Sequence, residues 1–202
     1  MIMQLPLQGL HYRSEWFYNT ADFFKRAGAY NARFRIAARY IAPRDSVLDV
    51  CSGPGRLKDF IPATCSYAVI EASPEFQRGL KKRGIGYTAC DLHAGMPADM
   101  NSYDVVVMII SLAQFRKTSA DLLLESFKKI ARRVVIVEEV VSSARSADDW
   151  FQKIVDHLCA TDYYVPVTWY TPEDFETLMS RHGYRCEQVG HDYRVGCYEV
   201  GL

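Results

Sequence analysis

From Ser46 onward the sequence alternates short apolar runs with amphipathic ones, and no other feature constrains the fold as tightly. Continuous Val, Ile and Leu runs suit strands buried on both faces, and the amphipathic runs between them suit helices covering a parallel sheet. Strands are expected at 46–51, 67–71, 86–90, 103–110 and 133–138. The helices between them have legible ends. Ser73-Pro74 supplies a cap and a first-turn proline, and Gly84 stops that helix after Lys81, Lys82 and Arg83. Residues 118–131 carry an apolar stripe of Leu122, Leu123, Phe127, Ile130 and Ala131, with Lys128 and Lys129 near the negative end of the helix dipole. Helices are therefore expected on both faces of the sheet.

The ends of the chain depart from this rhythm. The first forty or so residues read as helical and aromatic, with Tyr12, Trp16, Phe17, Tyr18, Phe23, Phe24, Tyr30, Phe34 and Tyr40, and stop at Pro43. Packing onto the core and covering a ligand are both open to them. After Val141, Ser146-x-x-Asp149 opens a helix with an apolar face of Trp150, Phe151, Ile154, Val155 and Leu158. The aromatic stretch ATDYYVPVTWY follows. Thr171-Pro172-Glu173-Asp174 then combines a cap, a first-turn proline and a capping-box acid for a helix that ends at Gly183. The last segment, YRCEQVGHDYRVGCYEV, reads as two strands joined near His191 and Asp192, an antiparallel hairpin that closes the sheet.

At 202 residues and 49% hydrophobic, the chain fills one core and is short for two. A single domain over 1–202 is expected: an N-terminal helical cap at 1–43, a ligand-binding core at 44–141, an inserted, substrate-covering segment at 142–183, and the hairpin at 184–202. Net charge is +0, so the basic footprint of a nucleic-acid partner is missing and a small ligand is favoured. The six cysteines show no C-x-x-C pair and no zinc-finger spacing, which points to reduced, structural thiols and no metal site. No apolar run reaches the ~18 residues that span a bilayer, and Met1 to Leu10 lacks the basic start and apolar middle of a signal peptide. No membrane contact and a cytoplasmic location are expected.

Function is concentrated in SVLDVCSGPGRLKDF, residues 46–60, a buried strand that breaks into Gly53, Pro54 and Gly55 before a helical turn. Open sheets of this type bind ligands outside the carboxyl ends of their strands, where strand order reverses, and glycines there let backbone approach the ligand. The dinucleotide fingerprint G-x-G-x-x-G is incomplete, because Cys51 and Lys58 flank the pair of glycines. Phosphate is further disfavoured by Asp49, whose charge suits an ammonium or a sulfonium instead. Some 20 residues beyond the glycines, YAVIE ends in Glu71, placed to accept the hydroxyls of a ribose. In YTACDL, Asp91 is placed to accept from an exocyclic amine while the Leu92 amide faces a ring nitrogen. One acid at a strand end is ordinary turn chemistry; three on consecutive strands, with a glycine turn after the first, form a pattern.

VLDVCSGPG resembles the first motif of the class I S-adenosylmethionine-dependent methyltransferases, with Cys51 where glycine is commoner. VIEAS is similar to their ribose-binding motif, CDL to their adenine-binding motif, and YDVVVMIISLAQF to their fourth strand and the loop facing the transferred methyl group. The resemblance implies a three-layer, Rossmann-like α/β fold with a seven-stranded, mostly parallel sheet and one antiparallel strand in the C-terminal hairpin. It implies S-adenosylmethionine as cofactor and S-adenosylhomocysteine as product. By carry-over Asp49, Cys51, Gly53 and Gly55 surround the methionine portion, Glu71 and Ala72 the ribose, Asp91 and Leu92 the adenine, and Ser111 the region of the methionine ammonium and methyl.

Methyl transfer from a sulfonium is an in-line displacement that rests on positioning and exclusion of water, so few side chains are obligatory and no catalytic residue is assigned. Residues expected to face the acceptor are Gln114 and Phe115 after the fourth strand, His157 on the inserted helix, Tyr163, Tyr164, Trp169 and Tyr170 beyond it, and Tyr12, Trp16 and Tyr18 as a lid from the N-terminal segment. A small, partly apolar acceptor is expected. The rival classes are a non-catalytic binder of the same cofactor, or partner subunit of a methyltransferase complex, and a nucleotide-dependent oxidoreductase, which the missing glycines disfavour.

Overall fold

The computed structural model describes residues 31–116, 119–141, 169–190 and 192–201. In chain order the elements are α1 (Ala32–Ala38), β1 (Ser46–Val50), β2 (Ser66–Glu71), α2 (Pro74–Lys82), β3 (Tyr87–Ala89), β4 (Tyr103–Ile109), α3 (Ala120–Ile130), β5 (Ala131–Glu139), α4 (Pro172–Arg181), β6 (Arg185–Val189) and β7 (Tyr193–Glu199). The seven strands form one sheet in the order β3-β2-β1-β4-β5-β7-β6. Strands β1 to β5 pair in parallel, and β7 runs antiparallel to both β5 and β6. The sheet is thus mostly parallel with one reversed strand, which lies in the closing hairpin as expected. Strand order reverses between β1 and β4, and that point fixes where a ligand is expected.

Alternation along each strand divides the core. Leu48, Val50, Val106, Met108, Val134 and Ile136 face a first layer with α3 and α4, where Phe127 and Phe175 are fully buried. Val47, Val105, Val107, Val135 and Val137 face a second layer with α1 and the turn at Arg56–Asp59. Truncating Phe127 to Ala would cost roughly 3–5 kcal/mol by lost transfer energy and the cavity left behind.

The helix ends obey the signals in the sequence. Ser73 accepts from the Phe76 amide, and Thr171 from the Asp174 amide at 3.1 Å. Gly84 and Gly183, both left-handed, close α2 and α4 with the paired bonds of a Schellman motif: Ile85 N to Leu80 O with Gly84 N to Lys81 O, and Tyr184 N to Met179 O with Gly183 N to Ser180 O.

Two details differ from expectation. The buried face of α3 is Ala120, Leu123, Leu124 and Phe127, whereas Leu122 is 71% exposed. A helical period puts 120, 123, 124 and 127 on one side and turns 122 away from them. Asp174, expected to reach back to its own cap, instead ion-pairs with Arg116. The inserted helix opened by Ser146 lies outside the described residues, but its flanks are joined: Val140 bridges Tyr170, and the Val141 amide donates to the Tyr170 carbonyl at 3.0 Å.

Candidate functional site

The chain leaves β1 in a sequence of left-handed residues: Cys51 has φ 57°, Gly53 58° and Gly55 71°. Gly55 is required twice over, since a Cβ there would also meet Leu80 Cδ2 at 2.7 Å. Cys51 holds the same conformation with a side chain, at a cost on the order of 1–2 kcal/mol. This accounts for the one departure from the expected motif: the position favours glycine, and Cys is small enough to stand there. Across the point of strand reversal, Ile110 leaves β4 with φ 49°, an outlier for a β-branched residue, while its amide donates to Val137 O at 2.7 Å. Backbone strain therefore flanks both sides of the reversal, the placement expected of a ligand site.

The expected acids converge here. Asp49 is 2% exposed and lies on the second face of the sheet, where the Tyr67 hydroxyl donates to its Oδ2. Burial raises its pKa to about 7, the Tyr67 bond opposes that, and the charge of Glu71 adds to it. Glu71 ends β2 on the same face. Its Oε2 accepts from the Gly53 amide and its Oε1 from the Ser73 amide, both at 2.8 Å. Burial raises this carboxyl too, to about 7, against those amide bonds. Asp91 is half-buried and accepts from the His93 amide at 2.9 Å, opening a short turn at Leu92–Ala94. Cys51, half-buried at the exit of β1, has its thiol pKa pushed well up by burial first and then by the charges of Glu71, Asp49 and Asp91. One thiol thus feels all three carboxyls.

Around this centre, Leu92 is buried at 2% and Ala72 is half-buried, with its carbonyl accepting from Gln77 Nε2 at 3.2 Å. Ser111 is buried and donates its hydroxyl to Ile109 O at 3.1 Å. Gln114 is half-buried, and Phe115 packs into the core with its ring 4.6 Å from that of His93. Tyr12, Trp16, Tyr18, His157, Tyr163 and Tyr164 lie outside the described residues; Trp169 is half-buried, and Tyr170, expected at the acceptor, is buried in the core with its ring edge-on to Phe175. Among the described residues no group of three or more His, Cys, Asp or Glu is arranged to hold a metal ion. No helix among them is long and apolar enough to cross a membrane.

Three site residues escaped the sequence. Tyr67, the donor to Asp49, sits inside a strand pattern with nothing to mark it. Ile110 carries none of the Gly, Asn or Asp chemistry that signals a left-handed residue. Glu138, fully buried at the end of β5, did have a signal, an acid closing the apolar run VVIVE as Asp49 closes VLD.

No family model and no curated protein sequence matches the chain. Solved structures do match in fold. The mitomycin 7-O-methyltransferase MmcR superimposes with a TM-score of 0.63 at 16% identity, over 95% of this chain and 60% of that one, so this chain spans less than two thirds of that enzyme's length. DhpI in complex with SAH gives a TM-score of 0.71 at 16% identity over 97% of both chains. A SAM-dependent methyltransferase from Thermotoga maritima, described as a possible histamine N-methyltransferase, gives 0.65 at 13% identity, over 96% of this chain and 99% of that one. The chain has the fold of class I methyltransferases.

Proposed function

We propose that the protein is an S-adenosylmethionine-dependent methyltransferase that transfers a methyl group in line to a small, partly apolar acceptor. The observation that carries this is the convergence of Asp49, Glu71 and Asp91 on Cys51 beside two strained turns at the reversal of strand order.

The donor set fits a cationic nucleoside. Asp49 and Glu71 are buried, and neither has a Lys, Arg or His ion-pair partner among the described residues. An acid raised to about 7 by burial regains its ionised form when a cation enters beside it. A phosphate would meet the opposite field. The bound cofactor would supply an electrophilic methyl on sulfur. Asp49, Cys51, Gly53 and Gly55 would hold its amino-acid portion, Glu71 with Ala72 its ribose, and Asp91 with Leu92 its base. Three backbone amides, of Ser73, Gly53 and Ala72, bear on Glu71, and a carboxylate has about four lone-pair sites, so capacity for a ribose hydroxyl remains. Ser111 would stand next to the methyl, with Gln114 and Phe115 on the acceptor side and Tyr12, Trp16, His157 and Tyr163 from the flanking segments. Alignment and exclusion of water supply the rate in this chemistry, so no side chain is assigned as general base. That MmcR is a methyltransferase of mitomycin, a small molecule, supports an acceptor of that size class. Five free thiols among the described residues and net charge +0 support a reducing, cytoplasmic setting without nucleic acid.

Incubation with S-adenosylmethionine carrying a labelled methyl group, against a panel of phenols, amines, thiols and carbon acids, tests this. Label appearing in a small product with stoichiometric S-adenosylhomocysteine is the expected result. A cofactor-binding protein that labels nothing and instead forms a stable complex with another protein would favour the non-catalytic alternative.

A further inference from the structure

We infer that Glu138 is a positioning residue for methyl transfer, a buried carboxyl that clamps the backbone of the turn after β4, where Ser111 is placed against the cofactor. This rests on the function proposed above and extends it to a residue that touches neither donor nor acceptor.

Glu138 is 0% exposed, on the apolar first face of the sheet in line with Val134 and Ile136. Its Oε2 accepts from the Leu112 amide at 2.9 Å. Burial raises its pKa to about 8, and the amides of Leu112, Ala113 and Ser111 oppose that rise. Three consecutive N–H groups therefore bear on one carboxyl. Its Oε1 has no hydrogen-bond partner, and neither has the buried hydroxyl of Tyr170. Stability alone would place Leu or Met at such a position, because a buried acid with an unmatched oxygen is unfavourable. What the acid supplies is the turn. Ile110, immediately before Ser111, is held in a left-handed conformation that persists only if its surroundings over-determine it. One side of that constraint is the bond from the Ile110 amide to Val137 O on β5, and the other is Glu138, the next residue of β5, gripping the amides just beyond.

The charged and titratable neighbours leave Glu138 to this role. Arg194 is its register partner on β7, but its Nε goes to Glu176 at 3.0 Å and its NH1 to Tyr193 O. Tyr170, diagonal to Glu138 through the Val140 bridge, has Arg116 stacked on its ring at 4.6 Å. Arg116 also ion-pairs with Asp174, so neither arginine neutralises the carboxyl.

Amide NMR of the wild type and of Glu138→Gln, with hydrogen exchange and S-adenosylhomocysteine calorimetry on both and on Glu138→Ala, tests the clamp. In the wild type the Leu112 and Ala113 amides should shift together with one alkaline midpoint. In Glu138→Gln, whose carbonyl still accepts the Leu112 amide, the shift should vanish and ligand affinity should stay within about threefold. In Glu138→Ala, exchange at Ser111–Ala113 should quicken at least ~10-fold without matching acceleration in β1 and β4, and affinity should fall about tenfold. Amides that do not titrate in the wild type, or a folded Glu138→Ala with wild-type exchange and affinity, would overturn the clamp. If the wild type binds no S-adenosylhomocysteine, the proposed function fails, while the amide titration still decides the clamp.

Discussion

The amide of Gly53 donates to Glu71 Oε2 at 2.8 Å, tying the turn after β1 to the last residue of β2. Two motifs 18 positions apart in sequence are thereby one structural unit, and the carboxyl proposed to hold the ribose also shapes the loop proposed to hold the methionine portion. Substituting either residue should disturb both halves of the ligand.

Tyr67 tunes Asp49. Its hydroxyl bond lowers the Asp49 pKa against burial, so Tyr67→Phe removes that support and the pKa rises further above about 7. A cationic ligand needs the ionised acid. Affinity for S-adenosylmethionine at neutral pH should therefore fall, and its plateau should move to higher pH, when binding is followed across a pH series.

Stability without ligand should decline from mildly acidic to mildly alkaline pH. Asp49 and Glu71 titrate at about 7 and Glu138 at about 8 in the folded chain, against roughly 4 when unfolded. Between those limits the folded state holds more protons, so stability decreases as pH rises and the contribution is gone once the folded values are passed. Thermal melts should show a Tm several degrees lower at the alkaline end, with saturating S-adenosylmethionine recovering part of the loss there. A Tm that rises across this window would contradict the burial of these acids.

Two glycines are fixed by packing. Gly55→Ala combines φ 71° with a Cβ 2.7 Å from Leu80 Cδ2, and Gly196→Ala drives a Cβ into Met179, with Cγ at 2.9 Å. Each should destabilise by roughly 1–3 kcal/mol in denaturant melts, and Gly55→Ala should also weaken ligand binding. Gly196→Ala, on β7 beneath α4, should leave binding unchanged.

Cys51 supplies the converse test. At φ 57°, Cys51→Gly should be tolerated within about 1 kcal/mol, because relief of strain offsets lost packing, whereas Cys51→Val should be strongly destabilising. Equal tolerance of Gly and Val would mean that the turn is not held as described.

The sheet was legible in the sequence because strands buried on both faces leave unbroken apolar runs, and the helix ends because Ser73, Gly84, Thr171 and Gly183 are chemically specific to caps. The acids were legible for a similar reason, since a carboxyl closing an apolar strand needs a purpose. The Asp49–Tyr67 bond, the strain at Ile110 and the exposure of Leu122 were not, because each depends on partners brought from another strand or on the phase of one helix. The burial of Asp49 also alters its chemistry, for it is an enclosed acid with a raised pKa, not an open charge on the rim.

Titration calorimetry of S-adenosylmethionine and S-adenosylhomocysteine into the wild type and Glu71→Ala tests the central claim, that these carboxyls receive a cationic nucleoside. Saturable binding to the wild type, weakened at least ~10-fold (about 1.4 kcal/mol) in a folded Glu71→Ala variant, is the predicted result. Folded wild-type protein that binds neither compound, or a Glu71→Ala variant that binds both as tightly as the wild type, would contradict it.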